Sequence, residues 1–282
     1  MKQQNIAFIG AGNMASSLIG GLIKGGYEPQ KIAASNPSLE KLLALKTTFQ
    51  INIFEKNSEA IIDADVIVIC VKPNKVADVV KEISSTVTEN QLIISVAAGI
   101  QTQQIEQWLE QKSSIIRCMP NTPSLISVGA CGLYANAEST AEQKQCAESI
   151  MRSVGVTLWL DTEKQMDTVT ALSGSGPAYF LFVFEALVKA AQKQGLNEEQ
   201  AKLLTLQTAL GTARMAMESE DSISTLRHKV TSPGGTTEAA LNILKQNNLE
   251  TIFTEALNSA KARAEEMSDI FAVGKNKAIE QK

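Results

Sequence analysis

The sequence predicts an α/β protein in which a doubly wound, mostly parallel sheet is followed by an all-α domain. Up to about residue 161, short apolar runs typical of buried strands alternate with stretches typical of helices. After Asp161 this alternation stops, and long helical patterns follow one another. We therefore place an α/β domain over residues 1–161 and an all-α domain over residues 162–282, joined without a long linker.

Composition narrows the class of protein. The chain has 282 residues, a formal net charge of −4 and no block of basic residues, so we do not expect it to bind nucleic acid. Its four cysteines show no Cys-x-x-Cys spacing and are typical of reduced thiols in a cytoplasmic protein. His228 is the only histidine, which argues against a multi-histidine metal site, and we expect no metal.

No targeting or membrane segment is expected. The N-terminus carries no signal-peptide pattern, and the longest apolar run, residues 178–188, is interrupted by Glu185. That run is too short to span a bilayer. We therefore expect a cytoplasmic protein without a membrane partner.

In the first domain, strands and helices are predicted in turn. The run VIVICV, residues 66–71, is apolar throughout, as expected for a parallel strand buried on both faces. The other strands are predicted at residues 6–9, 31–34, 92–96 and 115–118, and the helices at residues 14–24, 39–49, 75–83 and 102–109. Segments 129–134 and 156–160 are expected to extend the sheet at one edge.

The second domain begins with an unusually apolar helix. Pro177 suits the first turn of a helix and Gly195 suits its end, and the segment 179–187 between them is apolar nearly all round. We expect a partner subunit to cover part of this helix in a homodimer; the alternative is a central helix inside one subunit. Further helices are predicted at 197–217 and 237–246, and from residue 249 onward.

The stretch IGAGNMA follows the first predicted strand and opens the first helix. Gly10, Gly12 and Ala15 form the pattern G-x-G-x-x-A, in which the first glycine permits a tight turn and the second lets a pyrophosphate approach the backbone. Ala15 keeps the helix close to the strand, and the helix N-terminus stabilises the phosphate charge. In this β-α-β context the pattern predicts a Rossmann-type domain that binds NAD or NADP; the alternative is a tight turn alone.

The end of the second strand bears on which dinucleotide binds. Enzymes that use NAD usually carry Asp or Glu there, but this chain has ASNPS at residues 34–38, without an acid. A 2′-phosphate would meet no carboxylate, Ser35 could donate a hydrogen bond to it, and Lys41 lies within reach. No arginine is present as a clamp. We therefore prefer NADP, with NAD as the alternative.

Three motifs follow the later strands, at the edge where doubly wound sheets bind ligands. They are Val71-Lys72-Pro73, Ala97-Ala98-Gly99 and Met119-Pro120-Asn121-Thr122-Pro123. Small residues and prolines there would let a nicotinamide ribose lie against the backbone. Prolines also end strands without any ligand, but three such motifs in succession favour a binding edge.

Two glycine-rich turns lead into helices of the second domain: ALSGSGP, residues 171–177, and TSPGGTT, residues 231–237. Each is expected to present backbone N–H groups at a helix start, which suits a carboxylate. Neither brings a cysteine, a Ser-His pair or a pair of carboxylates. A reaction without a strong protein nucleophile fits best, and hydride transfer from a nicotinamide is such a reaction.

Together these stretches resemble the pyrroline-5-carboxylate reductase family. The matching stretches, in order, are FIGAGNMA, VKP, SVAAG, RCMPNTP, SGSGPAY and HKVTSPGGTT, and they extend from about residue 6 to residue 240. The resemblance implies NAD(P)H-dependent reduction of 1-pyrroline-5-carboxylate to L-proline. It also implies a dimerising all-α domain, a site completed across the dimer, and rings of dimers as a larger assembly.

The resemblance also implies roles for individual residues. The pyrophosphate is expected at Gly10, Ala11, Gly12, Asn13 and Met14, and Ile9 is also expected to bind the cofactor. The adenosine end is expected at Ser35 and Asn57, and the rest of the dinucleotide at Val71, Lys72, Pro73, Ala97, Ala98 and Gly99. The substrate is expected at Ser232, Gly234, Gly235, Thr236 and Thr237. The chain departs from some members at Asn36-Pro37, where they carry an arginine.

In the mechanism that the resemblance implies, backbone N–H groups of the Gly-Gly-Thr-Thr turn hold the substrate carboxylate, and the Thr237 hydroxyl contacts the ring nitrogen. Thr237 is expected to assist proton delivery, with water as the rival source because a threonine hydroxyl is a poor acid. Lys72 and Glu220 are expected to orient nearby groups, although each could equally be a solvated charge. His228 is expected to be structural.

Two other functions remain open from the sequence. One is dehydrogenation of small hydroxy acids by an NADP-dependent enzyme that also joins a Rossmann domain to a helical one; such an enzyme would lack the SPGGTT turn. The other is a non-catalytic nucleotide-binding relative, against which the intact glycines and the intact Thr236-Thr237 argue.

Overall fold

The computed structural model describes residues 3–272; Met1, Lys2 and residues 273–282, the end of the predicted second domain, lie outside the described part. By packing, the chain forms two compact units. The first unit comprises the chain up to Ser175 together with the segment that begins at Ala260, and the second comprises Gly176–Ser259. The predicted boundary near residue 161 lies just after the last strand, and as a boundary between family domains it stays a prediction.

The first unit is built on one sheet. Over residues 3–272 the sheet has eight strands, in the order β3-β2-β1-β4-β5-β6-β7-β8. The strands are β1 (Ile6–Ile9), β2 (Ile32–Ser35), β3 (Asn52–Phe54), β4 (Val66–Ile69), β5 (Leu92–Ser95), β6 (Ser114–Met119), β7 (Gly129–Ala135) and β8 (Gly155–Trp159). Neighbouring strands are parallel except for β6 and β7, which pair antiparallel. The predicted sheet is confirmed, and so is its extension at one edge.

Some helices pack against this sheet, and others form the second unit. The helices that begin in the first unit are α1 (Asn13–Lys24), α2 (Leu39–Phe49), α3 (Asn57–Ala60), α4 (Pro73–Ile83), α5 (Thr102–Leu109), α6 (Ala141–Arg152) and α7 (Gln165–Val169). Those that begin in the second are α8 (Gly176–Lys193), α9 (Glu198–Glu218), α10 (Ile223–Lys229), α11 (Thr236–Gln246) and α12 (Leu249–Ala272). Shorter 3-10 segments lie at Pro29–Lys31 and Thr122–Ile126, and a π-helical turn lies at Thr170–Gly174.

Two apolar cores lie on opposite faces of the sheet, because successive residues of a strand point to opposite sides. Phe8 belongs to the core that contains Leu18 of α1. Ile67 belongs to the other core, with Val80 of α4 and Ile105 of α5. Since both faces are covered, the central strands β1 and β4 are apolar throughout, as the run VIVICV predicts.

Five of these strands and α-helices are absent from the sequence-based prediction: β3, α3, α6, α7 and α10. β3 and α3 have three and four residues, which is too short to display a hydrophobic period. α6 does carry a signal, because Thr140 accepts a hydrogen bond from the Gln143 N–H (3.2 Å) and the Gln143 side chain accepts one from the Thr140 N–H (2.9 Å). This capping box, Thr-x-x-Gln, would locate the start of α6 from the sequence.

Within residues 3–272, one apolar helical stretch runs from Gln165 to Lys193. By length and composition alone it could cross a membrane, whereas the sequence-based expectation considered only residues 178–188. Core helices of soluble proteins pass the same test, so this is weak support for a membrane span. In the single chain several of its large apolar side chains are exposed: Phe182 is 72% and Leu181 64% exposed.

Candidate active site

The turn between β1 and α1 is shaped for a phosphate. Gly12 is the N-cap of α1 and no side chain caps the helix, so the first N–H groups of α1 stay available. A Cβ at Gly12 would meet no protein atom within 4 Å, so the space beside the N-cap is open. Gly10 has φ +103°, and a Cβ there would lie 2.8 Å from the Cys70 carbonyl oxygen. These glycines, with the buried Ala15, fit the pyrophosphate of a dinucleotide.

The predicted cofactor residues all belong to the first unit but differ in exposure. The exposed ones are Gly12, Asn13 and Lys72. The half-buried ones are Ala11, Met14, Asn57, Val71, Pro73 and Ala98, and the buried ones are Ile9, Gly10, Ser35, Ala97 and Gly99. The structure brings them to the carboxyl ends of neighbouring strands, and their contacts with a dinucleotide stay predictions.

The hydroxyl of Ser35 already has a partner. It donates to Asn57 Oδ1 (2.7 Å), and Asn57 Nδ2 donates to Glu82 Oε2 (2.9 Å). Because a carboxylate can only accept hydrogen bonds, the Asn57 amide turns its NH2 group towards Glu82. Its oxygen then faces Ser35, so the Ser35 hydroxyl must be the donor in their hydrogen bond. The expected donation from Ser35 to a 2′-phosphate would therefore require this network to rearrange. Glu82 is a residue that the sequence-based prediction misses.

The loop after β5 packs closely against α12. Gly99 has φ +73°, and a Cβ there would lie 3.4 Å from the Phe271 ring and 3.5 Å from Met267 Cβ. Gln104 of α5 donates to the Ser268 carbonyl oxygen (3.2 Å). The backbone around Gly99 is thus fixed by its own unit, as suits a surface against which a dinucleotide lies.

A buried ion cluster lies near this loop. Arg117 of β6 is 2% exposed; it pairs with Glu163 (3.4 Å) and approaches Asp167 (3.9 Å). Burial lowers the pKa of the Arg117 guanidinium, although both carboxylates act in the opposite direction. Burial also raises the pKa of Asp167, against the effect of Arg117. The sequence-based prediction singles out none of the three, and their only signal is the arginine that opens RCMPNTP.

The ALSGSGP stretch is itself mostly helical, and α8 begins within it at Gly176. α7 ends at Val169 and passes directly into the π-helical turn, whose Ser175 N–H donates to the Thr170 carbonyl oxygen (2.9 Å). Helical structure therefore begins before this stretch, at Gln165, and the Ser175 N–H is used internally. The predicted glycine-serine turn is therefore a π-helical turn, and the expectation that this stretch presents N–H groups to a carboxylate stays a prediction.

The π-helical turn contacts the loop after β6. Asn121 donates to the Ser173 carbonyl oxygen (3.1 Å) and accepts from the Ala130 N–H (2.9 Å). A Cβ at Gly174 would lie 2.7 Å from Met119 Cε. The RCMPNTP and ALSGSGP stretches, far apart in sequence, are thus brought together within the first unit.

The TSPGGTT turn does open a helix. Gly235 is the N-cap of α11, no side chain caps it, and its N–H donates to the Ser232 carbonyl oxygen (3.0 Å). Gly234 has φ +69°, which favours glycine. Thr236 and Thr237 are exposed in the first turn of α11, where N–H groups lack intrahelical acceptors. This geometry is suited to a carboxylate.

One N–H of this turn is already occupied. The Gly234 N–H donates to the carboxylate of Glu238, at 2.7 Å. Glu238 lies in the first turn of α11, where an acidic side chain interacts favourably with the helix dipole. It is a second residue that the sequence-based prediction misses, although its position at the helix start is a signal.

The predicted orienting charges are exposed. Lys72 is the N-cap of α4 in the first unit, and Glu220 lies between α9 and α10 in the second. Beside Glu220, Asp221 pairs with Lys229, which ties this segment to the end of α10, just before the TSPGGTT turn. His228 is exposed as well. The roles of Lys72 and Glu220 stay predictions.

The cysteines are free and poorly suited to nucleophilic chemistry. Burial raises the pKa of the Cys70 thiol to about 12 and that of the Cys146 thiol to about 11. Cys118 and Cys131 are buried. Because the thiolate is the reactive form, a raised pKa makes a thiol inert at neutral pH. Among the residues that the structure describes, no group of three or more His, Cys, Asp or Glu could hold a metal ion.

Two family models match the chain. A model described as pyrroline-5-carboxylate reductase dimerisation matches residues 163–267. A second, described as NADP oxidoreductase coenzyme F420-dependent, matches residues 5–99. The two regions contain the TSPGGTT turn and the IGAGNMA turn, respectively.

Individual relatives match over nearly their whole length. The pyrroline-5-carboxylate reductase of Pseudomonas aeruginosa is 48% identical over 269 residues, which cover 95% of this chain and 98% of the relative. The solved structure of the Coxiella burnetii enzyme superposes with a TM-score of 0.90 at 47% identity, covering 94% of this chain and 98% of that one. The Plasmodium falciparum pyrroline carboxylate reductase, solved with NADP bound, has a TM-score of 0.84 at 29% identity and covers 95% and 99% of the two chains. The chain belongs to the pyrroline-5-carboxylate reductase family.

Proposed function

We propose that this protein is a pyrroline-5-carboxylate reductase, which reduces the cyclic imine 1-pyrroline-5-carboxylate to L-proline with NADPH. The observation that carries the proposal is 48% identity, over 95% of the chain, to an enzyme of that name. The open N-cap of α1 and the uncapped start of α11 support it, because they offer two separate groups of backbone donors for two anionic ligands.

The first unit would hold the dinucleotide. The N–H groups at the start of α1 would bind the pyrophosphate, and the loops that follow β4 and β5 would line the remainder, at Val71–Pro73 and Ala97–Gly99. NADPH, when bound, supplies the hydride that reduces the imine carbon. NADPH is preferred over NADH because ASNPS at residues 34–38 places no carboxylate where a 2′-phosphate would lie. The bound NADP of the Plasmodium falciparum relative supports the same choice.

The TSPGGTT turn would hold the substrate. Because Glu238 occupies the Gly234 N–H, we place the substrate carboxylate at the N–H groups of Thr236 and Thr237. Ser232 and Gly235 would also contact the substrate. The Thr237 hydroxyl would contact the ring nitrogen, which gains a proton as the imine carbon gains the hydride. Contacts at the substrate carboxylate and at the ring nitrogen would fix the position of the substrate and so raise the reaction rate. Either Thr237 or water supplies the proton. Lys72 and Glu220 are proposed as orienting charges.

The protein is proposed to act as a cytoplasmic homodimer. The exposed apolar side chains of α8 and the dimerisation family model over residues 163–267 support cover by a second copy rather than by a membrane. Rings of such dimers are the larger assembly that we propose. The four free cysteines support a reducing compartment.

The direct test is to follow NADPH oxidation with 1-pyrroline-5-carboxylate, and NADH oxidation in parallel. We expect turnover with both cofactors and a higher kcat/KM with NADPH. Turnover of a small hydroxy acid but not of the imine would establish the dehydrogenase alternative. NADPH binding without any turnover would establish the non-catalytic one.

Thr237→Ala tests the hydroxyl at the ring nitrogen. We expect kcat/KM for the imine to fall about 10- to 100-fold, because a hydrogen bond to the reacting nitrogen is lost. The matched control is Thr254→Ala, since the exposed Thr254 hydroxyl donates only to the Glu250 carbonyl oxygen (2.9 Å). If both variants keep the kcat/KM of the wild type, the role assigned to Thr237 is wrong.

A further inference from the structure

Glu163 accepts hydrogen bonds from the start of α5 with both carboxylate oxygens. Its Oε1 accepts from the Thr102 N–H (2.8 Å), and its Oε2 accepts from the Thr102 hydroxyl (2.8 Å). Thr102 is the first residue of α5 and is buried. A carboxylate at this position satisfies an N–H that has no intrahelical acceptor, and it complements the positive end of the helix dipole.

Arg117 holds this carboxylate in place. The guanidinium lies 3.4 Å from Glu163 Oε1 and is 2% exposed, so the pair is shielded from solvent on the arginine side. Arg117 is the sheet neighbour of Ser95, the last residue of β5. The ion pair therefore stands beside the strand that leads into the Ala97–Gly99 loop, and Glu163 grips the helix that leads out of it.

A second set of contacts holds the helix end of this connection. Gln101 donates its N–H to Gln104 Oε1 (2.7 Å), and Gln104 in turn donates to the Ser268 carbonyl oxygen. Ile100 is fully buried. The end of β5, the start of α5 and the contact with α12 are all held by these interactions. The Ala97–Gly99 loop therefore has little conformational freedom.

We infer that Glu163 is a positioning residue for the dinucleotide: by gripping Thr102 with Arg117 as its counter-ion, it sets the backbone of the Ala97–Gly99 loop. The inference rests on the proposed function, which places that loop against the cofactor. Glu163 acts through Thr102 and the loop. Glu163 lies 61 residues after Thr102 in the sequence, just before α7. The connection between β5 and α5 is therefore held by a residue from a distant part of the chain.

The test separates positioning from stability. Thr102→Val keeps the shape of the side chain but removes the hydroxyl, and Thr102→Ser restores it. For Thr102→Val we expect the Kd for NADPH to rise about tenfold, the size of one lost hydrogen bond to an ionised group. In the protein without cofactor, we expect faster amide hydrogen exchange in residues 97–102. Thr102→Ser should return both quantities to near their wild-type values.

Glu163→Gln is the second variant, and Glu138→Gln is its control. Glu163→Gln keeps one acceptor but loses the charge that Arg117 balances, so its Kd for NADPH should rise at least as much. Glu138 forms an exposed ion pair with Lys112 (3.4 Å), and its neutralisation should leave Kd and exchange unchanged.

The inference is overturned if Thr102→Val and Glu163→Gln lower the melting temperature but bind NADPH as tightly as the wild type, since the contact would then be structural only. It is also overturned if exchange in residues 97–102 does not change. A wild-type protein that binds NADPH but does not reduce the imine overturns the proposed function alone. A wild-type protein that does not bind NADPH overturns both.

Discussion

Gly10 and Gly12 stand two residues apart in one turn but are needed for different reasons. Gly10 combines a left-handed φ with a close approach to the Cys70 carbonyl, so a side chain there would strain the fold. Gly12 has φ −88°, which any residue can adopt, and open space beside it. At Gly12, binding and stability can therefore be separated by mutation.

Gly12→Asp is expected to raise the Kd for NADPH by at least about tenfold, because the new carboxylate would occupy the helix N–H groups and repel the pyrophosphate. Its free energy of unfolding should stay the same or rise by a few tenths of a kcal/mol, since Asp is a better N-cap than Gly, by roughly that amount. Fluorescence titration and thermal melts measure the two effects.

The control for this variant is Thr140→Asp, which places the same charge at the N-cap of α6. Thr140 already caps that helix, so the fold should tolerate the change and the Kd should not move. A Gly12→Asp protein that binds NADPH as tightly as the wild type would contradict the placement of the pyrophosphate at α1.

The local parts of the site could be predicted from the sequence, and the non-local parts could not. The chemistry of the IGAGNMA and TSPGGTT turns lies within a few consecutive residues, so the pattern carries it. Arg117 and Glu163 are 46 residues apart and become neighbours only when the sheet and α7 have packed. The partner of Ser35 is likewise invisible until β2 and α3 lie side by side.

At the scale of elements, α1 packs very closely against the segment that precedes β8. A Cβ at Gly21 would lie 2.6 Å from the Ser153 carbonyl oxygen and 2.8 Å from Val154 Cγ1. A Cβ at the adjacent Gly20 would meet only the Phe49 ring, at 3.3 Å. Two neighbouring glycines of one helix thus have unlike surroundings.

Gly21→Ala is expected to lower the free energy of unfolding by about 1–3 kcal/mol, because backbone atoms must move to admit the methyl group. Gly20→Ala is the matched variant. It gains the same helix propensity, about 1 kcal/mol, with only a ring to shift, so its stability should be unchanged or higher. Urea unfolding compares the two, and equal effects would contradict this packing.

The prediction of elements succeeded where a hydrophobic period could develop. α2 and α5 have the bounds predicted from the sequence, since their apolar positions and caps agree. The π-helical turn was not predicted, because Gly174 and its serine neighbours locally favour a turn. Its hydrogen bond from Ser175 to Thr170 and its contacts with Asn121 become visible only in the folded unit.

At the scale of the whole molecule, the second unit exposes many large apolar side chains, as interaction surfaces do. Besides Phe182, the exposed large apolar side chains of α8 and α9 include Phe180, Leu181, Leu187, Leu203, Leu204, Leu210 and Met217. The sequence predicts the need for a partner from the all-round apolarity of residues 179–187. It does not predict which residues face that partner, since a helix without a polar face has no evident orientation.

Phe182→Glu is expected to dissociate the assembly, because it places a charge in an apolar interface. Light scattering of the wild type should give at least twice the chain mass of 30.3 kDa, and that of the variant should approach the single mass. Gln192→Glu adds the same charge at an exposed polar position of the same helix and should leave the mass unchanged. A monomeric wild type, or one recovered only from membranes with detergent, would contradict the proposed dimer.

The raised pKa values of the thiols have a practical consequence for site-specific labelling of this protein. With a pKa of about 11 at Cys146 and about 12 at Cys70, the reactive thiolate is a fraction on the order of one in ten thousand or less at pH 7. Cys118 and Cys131 are shielded by burial. A single cysteine introduced on the surface would therefore take a fluorophore or spin label almost alone, and the native sequence can serve as its own labelling background.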